Sequence, residues 1–230
     1  MIYQNNLFSL VRKPQKIPST FGNQTCLLDL FCCPEELETL WEQDNSKKDI
    51  IPYIQEIQKK SEYKQRKDIQ QRIANQMQQF SKEEEYGLLN RLDNETGWFV
   101  YFANTPEAKE DYHKLQKSLA ITKYYIARVS GNCPSQEITL PIFHHKNPQK
   151  MTTNPLKSRG EPHQVKTIVQ NIHYNRETDT SLLKIQIQKG IRHQIRLHLA
   201  SSGYSIIGDA LYGWRPSDIL HLWSVGMEIK

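Results

Sequence analysis

Asp93 stands in the stretch Asn90-Arg91-Leu92-Asp93-Asn94-Glu95-Thr96-Gly97, with an arginine two residues before it and a threonine three after. A carboxylate on a tight turn, against a strand that can bury it, can have its reactivity tuned by its surroundings and serve as a nucleophile or a proton carrier. The same three residue types also describe an ordinary turn or helix cap. Two further blocks hold polar groups at close spacing. One is Lys123-Tyr124-Tyr125-Ile126-Ala127-Arg128-Val129-Ser130-Gly131. The other is Gly190-Ile191-Arg192-His193-Gln194-Ile195-Arg196-Leu197-His198-Leu199-Ala200, continued by Gly203-Tyr204-Ser205-Ile206-Ile207-Gly208-Asp209-Ala210-Leu211-Tyr212-Gly213.

The elements that must position these groups follow from pattern. Trp98-Phe99-Val100-Tyr101-Phe102 is aromatic and β-branched and reads as a strand directly after the Asp93 turn. Thr105-Pro106-Glu107-Ala108 reads as a helix start, with Thr105 as N-cap and Pro106 at the first position, running to about Ser118. Residues 123–129, 167–174 and 182–188 read as strands. In the last, Leu183, Ile185 and Ile187 alternate with Lys184, Gln186 and Gln188. Residues 191–202 read as a helix ended by Gly203, and 147–163, with its prolines, as a mobile loop. Ile2 to Val11 reads as strand around a Gln4-Asn5-Asn6 turn, leading to the extended Arg12-Lys13-Pro14. Ile54, Ile57, Ile69, Ile73, Met77 and Phe80 recur at helical spacing, so 30–85 is expected to be a helical insertion. Its Lys59-to-Lys67 face is basic and is read first as a solvated face, second as an RNA-backbone contact. Strand runs with scattered helices and no regular βαβ alternation predict an α+β fold with a mixed, largely antiparallel sheet and flanking helices.

The chain of 230 residues carries a net charge of +5, which suits an anionic partner. Its mean hydropathy is -0.69. The four cysteines, Cys26, Cys32, Cys33 and Cys133, form neither a C-x-x-C pair nor a disulfide framework. No stretch approaches the roughly 20 apolar residues that a bilayer span needs. A cytoplasmic, reducing setting is expected.

In order and spacing, the three blocks resemble the RluA family of RNA pseudouridine synthases, which read approximately H-R-L-D-x-x-T-S-G, K-x-Y-x-A-x-V-x-G and H-Q-I-R-x-H-L-A-x-x-G-x-P-I-x-G-D-x-x-Y-G. The resemblance implies the pseudouridine synthase catalytic fold with a cleft across the middle of the sheet, and isomerisation of uridine to pseudouridine in tRNA or rRNA. That reaction moves the ribose bond from a ring nitrogen to ring carbon 5 without net electron transfer, so no cofactor and no metal are expected. The resemblance makes Asp93 the nucleophile, attacking either ribose or base, and gives Arg196 the pairing role that keeps it ionised. Tyr125 would stack on the target base or help move its proton. Arg91 would fill the stack as the uridine flips out, and Thr96 would brace the Asp93 turn. Substrate contacts extend to Arg192, His193, Gln194 and Ile195, and to phosphates at Lys13.

His193 and His198, five apart with no evident third ligand, point to stacking or phosphate contact rather than coordination. Asp209 is expected to shape the turn after Gly208. The resemblance starts near residue 2, so one catalytic domain over 1–230 is expected, as a monomer, without the separate N-terminal RNA-binding module of many relatives. The chain ends at Lys230, where relatives commonly add a strand or two. Departures from the family fall at Asn90, which replaces its histidine, at Thr96-Gly97-Trp98, which replaces its Thr-Ser-Gly, and at Ile191, which replaces the arginine that follows glycine. Asp93, Tyr125 and Arg196 are unaffected. The rival from another class is an RNA-binding or RNA-folding module that has kept the pocket and lost turnover.

Overall fold

The computed structural model describes residues 3–4, 7–13, 15–16, 19, 80 and 84–230. Apart from Phe80, Glu84 and Glu85, the expected insertion over 30–85 and its basic face lie outside the described residues, as do Cys26, Cys32 and Cys33. The chain divides into two compact units, Met1–Lys114 and Leu115–Lys230.

The first unit is a three-stranded antiparallel meander followed by a helix. Its strands are β1 (Tyr3–Gln4), β2 (Phe8–Lys13) and β3 (Gly97–Ala103). The pairing of β2 with β3 runs from Phe8↔Ala103 to Lys13↔Trp98. Val11, Val100 and Phe102 are at most 3% exposed, which is what drives this sheet to form. Helix α1 (Pro106–Lys117) starts as its sequence predicts, with the Ala108 N–H donating to Thr105 Oγ1 at 3.2 Å.

The second unit is built on five antiparallel strands in the order β11-β4-β10-β9-β5. These are β4 (Ile121–Ser130), β5 (Gln136–Ile138), β9 (Thr167–Asn175), β10 (Thr180–Ile187) and β11 (Leu222–Ile229). The alternation in β10 holds: Leu183, Ile185 and Ile187 are buried and the residues between them are half-exposed. Strand β11 is a feature the sequence reading lacks. It pairs with β4 from Leu222↔Ala127 to Ile229↔Ile121 and carries a bulge between Ser224 and Gly226, which breaks the period-2 signal.

Residues 147–163, expected as a loop, instead contribute to a small three-stranded sheet. It consists of β6 (Ile142–His145), β7 (Met151–Thr152) and β8 (Ser158–His163) in the order β7-β6-β8. Helix α2 (Gln194–Ser201) begins three residues later than expected, because His193 sits in the left-handed region at φ 56° and a helix cannot run through that backbone. Its end matches the glycine signal. Gly203 N–H bonds to Ala200 O and Tyr204 N–H to Leu199 O, the pair of bonds that closes a helix on a left-handed glycine. The α+β class stands, with two α-helices among the described residues.

Candidate active site

In the first unit, Asp93 opens a tight turn closed by the Thr96 N–H donating to the Asp93 carbonyl at 3.0 Å. Asp93 is half-buried and Thr96 only 3% exposed. Three side chains pin the backbone around it. Asn90, 7% exposed, accepts from the Tyr101 N–H at 2.7 Å and donates Nδ2 to the Phe99 carbonyl at 3.4 Å. It thereby fixes the incoming loop to β3. Ser19, 4% exposed, accepts from the Leu92 N–H and donates to the Leu92 carbonyl, both at 3.1 Å. Lys13 donates Nζ to the Asn94 carbonyl at 3.0 Å. The residues immediately before and after Asp93 are therefore both held.

Lys13, expected at RNA phosphates, is fully buried. An ammonium out of water needs acceptors, and here it serves the turn. Arg91 is exposed and ion-paired to Glu85 at 3.2 Å, a surface pair weak enough to open. Trp98 occupies the place of the family glycine at φ 85°. That is a backbone glycine adopts readily, and here it carries an indole that is 5% exposed.

In the second unit, Tyr125 lies on β4 opposite Ile185 of β10 and is 7% exposed. Lys123, two residues earlier on the same face, is equally buried, and burial pulls its ammonium down to about 8. The segment leading into α2 divides its residues between surface and interior. Arg192 is exposed and donates to the Pro148 and Gln149 carbonyls at 2.9 and 3.3 Å. His193 is 7% exposed, with Nδ1 2.9 Å from the Tyr212 hydroxyl. Gln194 is buried: Oε1 accepts from the Ile191 N–H at 3.1 Å, and Nε2 donates to the Lys166 carbonyl and Thr167 Oγ1 at 3.0 and 3.1 Å. Ile195 is buried beside it.

Arg196 is 1% exposed. Its Nε and Nη2 both donate to the Asp209 carboxylate at 2.8 Å, in a bidentate fork. The sequence leads to Asp93 as the arginine's carboxylate partner through the family resemblance and gives no sign of Asp209 in that place. Burial pushes the Asp209 carboxyl up. The Arg196 hydrogen bond and charge, with the N–H groups of Leu211 and Tyr212, pull it further down, to a net position below its ordinary value. Those two N–H groups, at 2.9 and 3.1 Å, are the turn-shaping role expected of Asp209. Gly208 makes the turn possible: at φ 78°, a Cβ there would fall 1.9 Å from the Ile219 carbonyl oxygen.

His198 departs from its expected stacking or phosphate role. It is fully buried, with Nε2 2.9 Å from the Leu140 carbonyl and Nδ1 2.9 Å from Thr167 Oγ1. A carbonyl only accepts, so Nε2 carries the proton and Nδ1 accepts from Thr167, which in turn accepts from Gln194. The ring is neutral in this chain of bonds, and burial lowers its tendency to protonate. No group of three or more histidine, cysteine, aspartate or glutamate side chains among the described residues is placed to hold a metal ion. No helix among them is long and apolar enough to cross a membrane.

Sequence reasoning missed Ser19, which lies 73 positions from Leu92 and carries no local signal. Tyr212 lies inside the third block, and nothing in the sequence marks it for its bonds to His193 and Met151.

Residues 8–201 match the family model described as RNA pseudouridylate synthase. The chain is 32% identical over 134 residues to Pseudouridylate synthase RPUSD2 of Homo sapiens, covering 56% of this chain and 24% of that protein. It is 37% identical over 125 residues to an Uncharacterized RNA pseudouridine synthase of Helicobacter pylori (strain ATCC 700392 / 26695), covering 54% and 42%. The chain thus spans less than half the length of these curated relatives. Among solved structures, Human RNA Pseudouridylate Synthase Domain Containing 4 aligns with a TM-score of 0.62 at 17% identity, over 99% of this chain and 82% of that one, a likeness of fold.

Proposed function

The chain belongs to the RNA pseudouridylate synthase family, and on that footing we propose that it isomerises uridine to pseudouridine in RNA with Asp93 as nucleophile. The observation that carries the assignment of Asp93 is the double pinning of its backbone, by Ser19 at Leu92 and by Lys13 at Asn94. A turn that served only to reverse the chain would not need two buried polar side chains. A nucleophile does need its position fixed, because misplacement by an ångström can cost on the order of 100-fold in rate.

The Asp93 carboxylate either bonds to the ribose as the bond from ribose to ring nitrogen breaks, or adds to the ring as its carbon 5–carbon 6 double bond opens, the bond from ribose to nitrogen breaking next. The ring turns, carbon 5 bonds to the ribose, and Asp93 leaves. Carbon 5 loses its proton and the freed nitrogen gains one, so the product is an isomer of the substrate. The family resemblance gives Tyr125 the base contact or the carbon-5 proton, and gives Arg196 the part of keeping the nucleophilic carboxylate ionised. Arg91 fills the stack vacated by the flipped base; its surface ion pair with Glu85 leaves it ready to move. Thr96 supports this reading through the turn it closes. The family resemblance extends the RNA contacts to Arg192, which is exposed; His193, Gln194 and Ile195, which it also names, are buried and shape the segment from inside.

The reading takes residues 1–230 as one monomeric catalytic domain, working in the cytoplasm on a tRNA or an rRNA. The departures at Asn90 and Trp98 do not argue for an inactive relative. Asn90 bonds the loop to β3, and Trp98 adopts at φ 85° a backbone that suits the glycine of the motif.

The test is to incubate total tRNA and ribosomal RNA with native protein, digest them to nucleosides and separate the products. A new pseudouridine peak with native protein, absent with Asp93→Ala, is the expected result. An equal peak from both proteins would remove Asp93 from the mechanism.

A further inference from the structure

The sheet of the second unit has a face turned away from Tyr125, and that face carries a cleft with no part in the isomerase reading. Directly opposed residues on neighbouring strands share a face. The pairings Gln186↔Tyr124 and Gln186↔Ile168 therefore put these three side chains on one side. Alternation along β4 adds Thr122 to them and sends Tyr125 to the other side. Thr122, Gln186 and Ile168 line a cleft of about 450 Å³, within the range of about 300–1,000 Å³ typical of small-molecule sites.

Its lining is of three kinds. Leu119 and Ile168 are apolar yet exposed, and with the buried Val165 they give the cleft apolar walls. Thr122, Thr139, Gln164 and Gln186 bring hydroxyl and amide groups. Among the described residues these four side chains form no hydrogen bond, so their donors and acceptors are unspent. Thr122 carries most weight here, because it is 5% exposed and a buried hydroxyl ordinarily has a partner.

The third kind is charge, from the exposed Lys166, Lys189 and Lys230. Lys166 pairs with Glu137 at 3.1 Å. Lys189 and Lys230 form no ion pair among the described residues. Glu228, opposite Thr122 on β11, is engaged elsewhere: its Oε2 accepts from the Tyr124 hydroxyl at 2.6 Å. The cleft therefore offers two unpaired ammonium groups to a ligand.

Each kind of lining has a counterpart in a nucleotide. Apolar walls suit the faces of a planar base, amides and hydroxyls suit its edges, and ammonium groups suit a phosphate. A wholly apolar ligand would leave the polar groups unpaired, and an inorganic anion would leave the apolar walls in water. We propose that this cleft binds a free nucleoside monophosphate, with its base between Leu119 and Ile168, an edge at Thr122, and its phosphate at Lys189 and Lys230. The site lies across β4 and β10 from Tyr125, so a nucleotide held there does not compete with a uridine at that tyrosine. The proposal stands independently of the isomerase reading.

The test is calorimetric titration of the full chain with adenosine and uridine monophosphates, and with inorganic phosphate and the two nucleosides as comparators. One nucleotide should bind with one-to-one stoichiometry, and phosphate or nucleoside alone about tenfold more weakly, since each fills only part of the cleft. Lys189→Glu/Lys230→Glu should weaken the nucleotide about tenfold or more, as repulsion replaces attraction at the phosphate. Thr122→Val keeps the shape and should cost about fivefold for the lost hydroxyl. Lys117→Glu/Arg176→Glu, with the same charge change at other exposed positions, should bind as native. A native protein that binds neither nucleotide at millimolar concentration overturns the proposal, as does native-strength binding by the Lys189/Lys230 variant. Phosphate binding as tightly as the nucleotide overturns it too. Binding that Asp93→Ala abolishes and the lysine variant keeps would put the nucleotide at the catalytic turn and overturn it. Displacement of the nucleotide by RNA through the same lysines would make the cleft an RNA contact, which also overturns the free ligand.

Discussion

The turn at Asp93 and the segment 190–213 are both rich in polar side chains, and they use them in different ways. Around Asp93 the polar side chains come from elsewhere in the first unit and grip backbone: Ser19 at Leu92, Lys13 at Asn94. In 190–213 the buried polar side chains turn inward and also grip other side chains, Arg196 on Asp209 and His193 on Tyr212 within the segment and Gln194 on Thr167 of β9. One region is a held carboxylate. The other is a cross-braced wall carrying its cation inside. A buried charge is tolerable only when paired and hydrogen-bonded, so the wall needs every member, whereas the turn can lose a brace and keep its fold.

That contrast is most exposed at Asp209. Asp209→Ala leaves the Arg196 guanidinium without the partner that takes two of its N–H groups in a site 1% exposed. We expect a loss of about 3–5 kcal/mol in urea-induced unfolding, partly recovered by adding Arg196→Met. If the single variant costs under about 1 kcal/mol, the wall is not held by this pair.

Ser19→Ala comes next. It removes both bonds to Leu92, at about 0.5–1.5 kcal/mol each, and should lower kcat about tenfold by loosening Asp93, with RNA affinity unchanged. A drop in affinity with native kcat would mean that Ser19 serves the RNA and not the turn.

Trp98 supplies a smaller and more diagnostic effect. In an ordinary strand position alanine is better tolerated than glycine. At φ 85° the order should reverse, with Trp98→Gly more stable than Trp98→Ala by about 1 kcal/mol in thermal or urea unfolding.

The smallest effect concerns pH. His198 is lowered in the folded protein, so between its folded value and the usual 6.5 the unfolded chain binds the extra proton. Its contribution is complete above about 6.5 and is lost as pH falls. The melting temperature of native protein should drop between pH 7 and 5.5, and that of His198→Gln should drop less.

Much of this arrangement was legible in the sequence where the signal is local. The Thr105 cap, the alternation of β10 and the left-handed end at Gly203 are contacts within a few residues, and the structure contains each of them. The antiparallel α+β class followed from such signals. What stayed hidden depends on distant partners or on broken periods. Strand β11 carries a bulge that disrupts its alternation. The start of α2 is set by the backbone of His193 rather than by side-chain pattern. Ser19 acts across 73 positions. Asp209 reads as a turn residue from its place after Gly208, and its bonds to Leu211 and Tyr212 make it one. Its second partner, Arg196, lies 13 positions back and is invisible to any local pattern. Residues 147–163 read as loop because proline and glycine mask strands this short.

The most direct test of the central claim is tritium release from RNA labelled at uridine carbon 5, under single-turnover conditions, comparing native protein with Asp93→Asn. The asparagine keeps the shape of the side chain and removes the attacking carboxylate. The expected result is rapid release by native protein and none by Asp93→Asn, with RNA binding and melting temperature preserved. Release by Asp93→Asn at a rate near native would contradict the account.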